Sequence, residues 1–317
     1  MAKKPEKLKK IVMTGIGGRL GRLVAKRLHR LGTHRVVGID LRPLKDLPKD
    51  IEHLRVDIRS RRARDVFRTG PVDAFIHMGL MRNPRKSSQE LHSWNVRGTS
   101  QLLQYCNDFE VRKVVFLSSA NVYGPRPDNS QFLTEEAPLM ASLDFPGIRD
   151  LIEADMQATS FFWRAAGRNI ETVILRPVHI MGSVRNAPSN YLRLPRIPVL
   201  MGFDPMVQAI HEDDMADAIV LSLEDGVRGV LNVAGSGEYP LSVLVRETGS
   251  PTLPIPHPMA RYLLTKLWQF HLTSFPVPEL AHIQYSCMVD GTRARRLMSF
   301  RPKYSLKEII QAVLAAA

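Results

Sequence analysis

The 317-residue sequence contains only two cysteines, Cys106 and Cys287, and no long hydrophobic run. Two cysteines cannot build a disulfide framework or a cysteine-rich zinc site, so we expect a cytoplasmic protein with no metal site. No stretch approaches the roughly 18 consecutive apolar residues that a transmembrane helix needs. The first ten residues, MAKKPEKLKK, are basic and lack the apolar middle of a signal peptide. These absences leave an ordinary globular protein as the expectation.

Positive charge exceeds negative charge, because 44 lysines and arginines against 31 acidic residues give a net charge of +13. A basic surface suits an anionic small molecule, an acidic membrane surface or nucleic acid. No nucleic-acid-binding motif accompanies the charge, so we expect a small-molecule substrate, for which an anion is one candidate, and no nucleic-acid partner. A weak contact with a membrane surface stays open.

The most informative stretch is residues 10–21, KIVMTGIGGRLG. An apolar strand pattern ends at Thr14, a helix pattern begins at Arg19, and glycines between and after them follow the spacing G-x-x-G-x-x-G. A strand that turns into a helix leaves unpaired N–H groups that attract a phosphate, and glycines let the phosphate approach closely. The next strand pattern ends at Asp40, 25 residues after Gly15. This position suits the acid that binds an adenosine ribose, so the stretch predicts a dinucleotide site.

Further along the chain, predicted strands and helices alternate. Strands are predicted at 10–14, 35–40, 54–57, 73–79 and 113–119, and helices at 19–31, 62–68 and 89–106. The strands are nearly continuous apolar runs, which is typical of a parallel sheet covered on both faces. Ligands of such sheets bind at the carboxyl ends of the strands, and five notable residues fall there: Gly15, Asp40, Asp57, Gly79 and Ser119. The pattern predicts an α/β fold with a Rossmann-type, doubly wound parallel sheet.

Seven short segments and Asp57 carry a further pattern over nearly the whole chain. The segments are TGIGGRLG at 14–21, NVRGT at 95–99, SSANVYG at 118–124, LRP at 175–177, HEDDMADA at 211–218, VD at 289–290 and FRP at 300–302. In this order they resemble the extended short-chain dehydrogenase/reductases, also called the NAD-dependent epimerase/dehydratase family. The resemblance implies an NAD-binding domain of residues 1–177, to which about 211–240 returns through a strand at 229–234. It also implies a smaller C-terminal substrate lobe, 178–210 and 241–317, and a homodimer as a common arrangement.

The resemblance implies NAD as the cofactor. The residues expected around it are Gly15, Gly17, Gly18, Arg19, Leu20, Gly21, Asp40, Asp57, Ile58, His77, Met78, Gly79, Asn95, Arg149 and Pro177. Asp40 favours NAD over NADP, because a carboxylate binds the ribose hydroxyls and repels a 2′-phosphate. Arg42 is the counter-argument, since a nearby arginine can accommodate that phosphate.

The chain departs from the family at its catalytic pair. The family's chemistry normally uses a tyrosine and a lysine four residues apart on the helix after strand five, with a serine near the end of that strand. Ser119 occupies the serine position, but residues 126–189 contain neither tyrosine nor lysine. The best register puts Phe145 at the tyrosine position and Arg149 at the lysine position. Phe145 has no proton to give, and the pKa of Arg149 is too high for proton exchange, although its donors can hold a ribose.

Three explanations for the missing pair stay open. The chain is an enzyme that acts on a hydroxylated or carbonyl substrate, such as a nucleotide-sugar or lipid-like molecule, with an acid/base from elsewhere. Alternatively, it binds NAD without turnover, as a sensor or assembly protein. In the third explanation, a cofactor-assisted isomerisation or elimination needs no tyrosine.

For the first explanation, His179 is the candidate proton carrier, beside Ser119 and Arg149. It follows the Leu-Arg-Pro segment, where the family's nicotinamide end lies, and histidine exchanges protons readily near neutral pH. A histidine of the core, or one that binds backbone groups, is an equally good interpretation.

Other titratable residues have structural interpretations. Tyr123 is expected to pack, and His77 is expected to pack beside the cofactor. Glu135 and Glu136 either face the substrate or form a solvated acidic pair. The segment 211–214, HEDD, looks like a metal cluster but is predicted to be a helix start whose acids cap free N–H groups.

The segment 260–272, ARYLLTKLWQFHL, places its leucines near one helical stripe. An amphipathic helix of this kind either lies at an interface, where it touches acidic lipid or admits an apolar substrate, or packs on the core of the lobe. Amphipathicity alone does not decide between them.

Overall fold

A computed structural model describes residues 8–44, 46–83, 85–141, 146–270, 273, 275 and 277–316. The β-strands are β1 (Lys9–Thr14), β2 (His34–Ile39), β3 (Glu52–Leu54), β4 (Ala74–His77), β5 (Lys113–Leu117), β6 (Glu171–Pro177), β7 (His179–Met181), β8 (Ile197–Leu200), β9 (Met206–His211), β10 (Gly229–Val233), β11 (Glu238–Pro240) and β12 (Thr252–Ile255). The α-helices are α1 (Arg19–Arg30), α2 (Arg62–Arg68), α3 (Ser88–His92), α4 (Gly98–Asp108), α5 (Pro146–Ala165), α6 (Ala187–Leu192), α7 (Glu212–Leu221), α8 (Leu241–Glu247), α9 (His257–Gln269), α10 (Thr292–Met298) and α11 (Leu306–Leu314).

The central sheet has seven parallel strands in the order β10-β6-β5-β4-β1-β2-β3. The chain moves outward from β1 to β3 and then returns to the other side of β1 with β4. This reversal puts a crevice at the carboxyl ends of β1 and β4, which is where doubly wound sheets bind ligands. The predicted α/β, Rossmann-type fold is confirmed.

Both faces of the sheet are buried, as the continuous apolar strands predict. Successive side chains of a strand point to opposite faces, so Ile11 and Met13 join the hydrophobic cluster that includes Leu28 of α1. Val12 joins the cluster on the other face with Leu102 of α4. Burial on both sides explains why these strands lack the polar alternation of a half-exposed sheet.

The chain leaves the sheet after β6 and returns to it with β10, which pairs with β6 in parallel. Between and after these strands it forms a sheet of order β11-β9-β7 and a parallel pair, β12 with β8. A separate hydrophobic cluster joins this region, with Leu192 of α6, Leu244 of α8 and Ile309 of α11 at its centre. Among the described residues, none of the helices combines the length and hydropathy needed to cross a lipid bilayer.

Two elements differ from the sequence-based prediction. Strand β3 ends at Leu54, not at Asp57, because the Asp57 carboxylate accepts a hydrogen bond from the backbone N–H of Arg59 at 2.8 Å and forms a turn. The helix predicted at 89–106 is interrupted by a π-helical turn, Ser93–Arg97, between α3 and α4. Such turns occur frequently at functional sites.

Candidate functional site

The glycine-rich loop between β1 and α1 is too tightly packed for side chains. Gly15 has a φ of +76°, and a Cβ there would lie 2.8 Å from the carbonyl oxygen of Met78. A Cβ on Gly21 would lie 2.2 Å from the Gly15 carbonyl oxygen. The N–H of Gly17 donates to Oδ2 of Asp40 at 2.9 Å. The glycine-rich loop and Asp40, the predicted ribose-binding acid, are therefore in direct contact.

The first turn of α1 faces the same crevice. Gly18 precedes the helix without a side-chain cap, and the turn contains no acidic residue, so its N–H groups suit an anion such as a pyrophosphate. Leu20 packs on the core below this turn. Arg19 reaches across to α7, where its guanidinium lies 3.3 Å from Oε1 of Glu212.

Asp40 is held in its charged form by Arg42. Burial is the largest single effect and opposes ionisation, but the two hydrogen bonds from the Arg42 guanidinium, at 3.0 and 2.8 Å, together with its charge and nearby backbone N–H groups, lower the pKa of Asp40. The backbone N–H groups of Arg42 and Gly17 act in the same direction. The carboxylate suits ribose hydroxyls, which must share it with Arg42 or displace that guanidinium.

Asp57 and Ile58 follow β3 beside this carboxylate. The Arg59 guanidinium donates to both oxygens of Asp57, at 2.9 and 2.5 Å, which lowers the pKa of Asp57. The same guanidinium lies 5.3 Å from the centre of the Trp94 ring. Ile58 is buried against Gly98, where a Cβ would lie 2.8 Å from the isoleucine Cδ1. These residues form one wall of the crevice.

His77 is a structural residue of the crevice floor. Its Nδ1 lies 2.6 Å from the Thr14 hydroxyl and its Nε2 lies 2.9 Å from the Thr99 hydroxyl. Complete burial lowers the pKa of His77 to about 3. The Thr14 oxygen also accepts hydrogen bonds from the N–H groups of Met78 and Gly79, and it thereby fixes the turn after β4.

A cavity of about 200 Å³ lies at the carboxyl ends of β4 and β5, and we name it the polar cavity. Asn95 lines it from the π-helical turn, and its amide exchanges hydrogen bonds with both backbone groups of Met81. Asn121 lines it after β5, and its N–H donates to the Ser119 hydroxyl at 3.2 Å. Ser119 is therefore buried directly behind the wall of the cavity.

A larger cavity, of about 580 Å³, lies at the amino ends of the strands, where it is lined by Lys9, Ala74 and Lys113. This is the opposite edge of the sheet from the glycine-rich loop. Ligands of doubly wound sheets bind at the carboxyl edge, so the polar cavity is the better candidate despite its size.

Helix α5 faces the polar cavity with apolar residues. Three residues of α5 line the cavity: Gly147, Ile148 and Leu151. Among these three, Gly147 and Leu151 are four residues apart, which is the spacing of the family's tyrosine and lysine. The Arg149 guanidinium instead donates to the Ser88 hydroxyl at 3.0 Å and lies 3.3 Å from Oδ1 of Asp150. Phe145 lies outside the described residues.

Asp150 belongs to a cluster that the sequence did not reveal. His92 of α3 with Asp150 and Glu153 of α5 present three ligand atoms that lie within 4.8 Å of one another. Oδ2 of Asp150 is buried without a hydrogen-bond partner among the described residues. Asp150 and Glu153 share one helix face, but His92 is 58 residues away in sequence, so no local spacing could have identified the group.

His179 lies near the acidic residue Glu279. It lines a small cavity of about 40 Å³ with His282 and Glu279, and the two imidazole rings are 5.5 Å apart. Burial, helped by the nearby His282, lowers the pKa of His179 to about 4. Burial also raises the pKa of Glu279, although His179 and Arg82 oppose this effect. Glu279 lines the polar cavity as well, and the sequence analysis did not identify it.

A buried ionic network holds β5, β6 and α5 together behind the site. Arg176 donates to both oxygens of Asp155, at 3.0 and 2.6 Å, and Ser118 donates to the same carboxylate at 2.5 Å. The Tyr123 hydroxyl accepts from Arg176 at 2.9 Å and donates to Asn232 at 2.8 Å. This network fixes the strand that ends at Pro177, and it leaves Tyr123 buried with both its hydrogen bonds internal.

Residues of the segment 211–214 and the pair Glu135 and Glu136 bind protein groups. His211 caps α7 by accepting from the N–H of Asp213 at 3.1 Å, while Asp214 accepts from the backbone N–H groups of residues 303 and 304. Oε1 of Glu135 accepts from the backbone N–H of Asn232 at 2.9 Å. Glu136 forms an ion pair with Arg293.

Comparisons with known proteins agree with this geometry. The chain matches the NAD dependent epimerase/dehydratase family over residues 11–234. The uncharacterized protein Rv0501 of Mycobacterium tuberculosis (strain ATCC 25618 / H37Rv) is 29% identical over 319 residues, which cover 96% of this chain and 83% of that protein.

Solved structures share the fold at lower identity. MoeE5 in complex with UDP-glucuronic acid and NAD has a TM-score of 0.76 at 20% identity, and covers 97% of this chain and 98% of its own. The UDP-glucose 4-epimerase of Thermotoga maritima with UDP-glucose has a TM-score of 0.75 at 17% identity, with the same coverage. Since the family match runs from β1 through the returning strand β10, and the glycine-rich loop and Asp40 form a site that fits NAD, this chain belongs to the NAD dependent epimerase/dehydratase family.

Proposed function

We propose that the protein is an NAD-dependent oxidoreductase or epimerase/dehydratase that acts on a hydroxylated or carbonyl substrate with non-standard acid/base residues. The observation that carries this proposal is the polar cavity at the carboxyl edge of the sheet, whose wall begins at Leu80, directly after the Met78–Gly79 turn that packs on Gly15. It contains amide donors and acceptors from Asn95 and Asn121 and a carboxyl group from Glu279. Bound NAD would supply hydride transfer there.

The residues divide into binding and proton-carrying groups. Gly15, Gly17, Gly18 and the first turn of α1 would hold the pyrophosphate, and Asp40 would hold the adenosine ribose. Arg149, at the amino-terminal end of α5, is kept as a ribose-binding residue in this proposal.

Glu279 and His179 are the proposed proton carriers. The carboxyl of Glu279 lies on the cavity wall, with its Oε2 3.9 Å from the imidazole of His282. With a pKa of about 4, His179 is neutral near pH 7 and a weak base. Its proposed role is therefore to relay a proton to or from Glu279 during the reaction, not to hold that proton. Ser119, behind Asn121, would orient the wall rather than exchange a proton.

We further propose a cofactor domain of residues 1–177 with about 211–240, and a substrate lobe of 178–210 and 241–317. Two unpaired cysteines suit a reducing cytoplasm. The structures of MoeE5 and of the Thermotoga maritima epimerase contain UDP-glucuronic acid and UDP-glucose, so nucleotide-sugars belong in the first substrate screen.

The alternative is an NAD-binding sensor without turnover. The observation that favours it is the apolar wall of α5, where Gly147 and Leu151 have the spacing of the family's tyrosine and lysine. Neither side chain carries a proton.

One experiment separates the two functions. Purified protein is titrated with NAD⁺ and NADH and screened for turnover with sugar nucleotides, sterols and aldehydes, alongside the Gly18→Asp variant. An enzyme loses binding and turnover together in the variant, because the new carboxylate occupies and repels the pyrophosphate site. NAD binding without turnover of any of these substrates would support the sensor, and absence of NAD binding would overturn both.

A further inference from the structure

A second cavity, of about 460 Å³, lies in the proposed substrate lobe, and we name it the lobe cavity. Its walls come from β8, β12, α9 and the segment that includes Phe275 and Leu280. Among its described lining residues, Arg196 carries the charge, and the Tyr191 hydroxyl is already used by the Pro198 carbonyl at 2.7 Å. The size is that of a ligand pocket, and its surface is almost entirely apolar.

Helix α9 turns its apolar stripe into this cavity. Ala260, Leu263, Leu264 and Leu267 follow the i, i+3, i+4, i+7 spacing of one helix face, and all four line the cavity. Of the described side chains of α9, only Ala260 is buried, while Leu263 and Leu267 are each 41% exposed. The helix is therefore only partly packed: Ala260 and Leu264 contact a small cluster with Leu200 and Leu280, whereas Leu263 and Leu267 border space that protein atoms do not fill.

The lobe cavity adjoins the polar cavity. Ala187 and Asn190 of α6 line both of them. Tyr191 and Phe275 line both the lobe cavity and the small cavity that contains His179 and Glu279. An apolar space thus opens beside the proposed proton carriers.

A second link joins α9 to the loop after β4. The Arg85 guanidinium stacks on the Trp268 ring at 4.0 Å and donates to the Trp268 carbonyl at 3.3 Å. Arg82 of the same loop lines the polar cavity. The outer end of α9 is therefore attached to the segment that borders the reaction site.

We infer that the lobe cavity holds the apolar chain of a small-molecule substrate whose hydroxyl or carbonyl group lies in the polar cavity. The inference rests on the proposed function, and it specifies the substrate class as amphiphilic, with an apolar body and one polar end. The shared wall of the two cavities, at Ala187 and Asn190, and the change from polar and charged lining to leucine lining are the features that match such a molecule.

The shape of the site favours a small molecule over a membrane or a second copy. A membrane-binding helix presents its apolar stripe outward, on a convex surface, whereas Leu264 faces inward toward β8 and β12. A second copy would cover about 800 Å² of surface on each partner, whereas a concave cavity of about 460 Å³ has the volume of a small-molecule pocket.

The first test measures binding without turnover. The fluorescent probe 11-(dansylamino)undecanoic acid is titrated into the protein, and straight-chain primary alcohols from hexanol to tetradecanol compete with it. Each methylene that enters the cavity should tighten competition about fourfold, and the gain should stop when the cavity is filled. Displacement by UDP-glucose but not by the alcohols would overturn the inference.

Two variants locate the probe. Leu264→Trp fills the cavity and should weaken probe binding at least tenfold, whereas the matched control Tyr262→Ser, on the exposed side of α9, should not change it. Leu253→Glu, at a rim position that is 47% exposed, places a charge at the opening and serves if Leu264→Trp fails to fold. Equal probe affinity in the wild type, the control and the cavity variants would overturn the inference.

The remaining outcomes separate this inference from the proposed function. Sedimentation with phosphatidylglycerol vesicles that is lost in Tyr262→Ser but kept in Leu264→Trp would indicate a membrane site and overturn the inference. A dimer that Leu264→Trp dissociates would overturn it in favour of a second copy. NAD-dependent substrate turnover without probe binding rejects the apolar subsite alone. Chain-length-dependent competition by the alcohols, without turnover of any screened substrate, supports the subsite while rejecting the enzyme.

Discussion

At the scale of single residues, His77 makes stability depend on pH. It is fully buried with a pKa of about 3 against an ordinary value of 6.5. The unfolded chain takes up a proton below about pH 6.5 that the folded chain refuses, so stability is complete above that pH and falls as pH decreases toward 3. The wild type should lose unfolding free energy when the pH falls from 6 to 5. In His77→Gln we expect this loss to be smaller by about 1 kcal/mol.

Urea denaturation at the two pH values measures this effect. Thr99→Val is the control, since it removes the hydrogen bond to Nε2 but keeps the titrating ring. This control should lower stability and preserve the pH slope. An unchanged slope in His77→Gln would show that other groups cause the acid sensitivity.

We expect Asp40 to determine cofactor choice by the same kind of local electrostatics. We expect tighter binding of NAD(H) than of NADP(H), and a loss of about 1.5–3 kcal/mol of NAD binding energy in Asp40→Ser, since charged hydrogen bonds to the ribose disappear. The freed Arg42 should then accept a 2′-phosphate, which narrows the preference. Titration of both cofactors measures the ratio of their affinities. Adding Arg42→Ala to Asp40→Ser should abolish the increase in NADP(H) affinity that Asp40→Ser alone produces. Wild-type preference for NADP(H) would contradict this account.

The residues whose position the sequence predicts best are those held by local structure. The glycines and Asp40 are fixed by the turn from β1 to α1 and by the end of β2, and both follow from spacing alone. The ion pair of Asp40 with Arg42 was foreseen only as a possible argument for NADP, because the sequence does not show which way a guanidinium folds.

At the scale of elements, the network behind the site joins α5 to the sheet. Arg176 and Asp155 are both almost completely buried. Arg176→Ala leaves a buried carboxylate without its cation, which should cost about 3–5 kcal/mol of unfolding free energy. Arg126→Ala, which breaks a solvent-exposed pair of similar length with Asp128, should leave the urea midpoint unchanged.

A double variant tests the cause. Arg176→Met with Asp155→Leu removes both charges and should recover much of the stability that Arg176→Ala loses. If the urea midpoint of Arg176→Ala equals that of the wild type, the network does not hold α5 on the sheet.

The strands were predictable because their continuous apolar runs encode burial on both faces. The orientation of α5 was not, because it depends on which side packs against α3 and β6. The sequence-based register places Phe145 and Arg149 at the positions of the catalytic pair. Phe145 lies outside the described residues, and among the described residues of α5 it is Gly147, Ile148 and Leu151 that line the polar cavity. The π-helical turn at Asn95 was missed for a similar reason, since its side chain binds a backbone segment 14 residues away.

At the scale of the whole molecule, the candidate site is assembled from segments that are distant in sequence. Asn95 and Asn121 come from the sheet's connections, and Glu279 comes from the far end of the proposed lobe. A motif search identifies the first two through their family segments. It cannot identify Glu279, because no spacing relates it to them and only the folded chain brings its carboxyl to the same cavity.

Glu279 therefore provides the test of the complete assembly. Its carboxyl is mostly buried, with its pKa raised by that burial, and it lies between the polar cavity and the imidazoles of His282 and His179. If it exchanges a proton with the substrate, Glu279→Gln keeps the shape of the wall but removes the transferable proton. We expect turnover of the substrate found by the screen to fall about 10²–10⁴-fold, with NAD affinity unchanged. The control is Glu247→Gln, which changes an exposed acid on α8. Full turnover in Glu279→Gln together with loss of turnover in His179→Gln would instead assign proton transfer to the histidine.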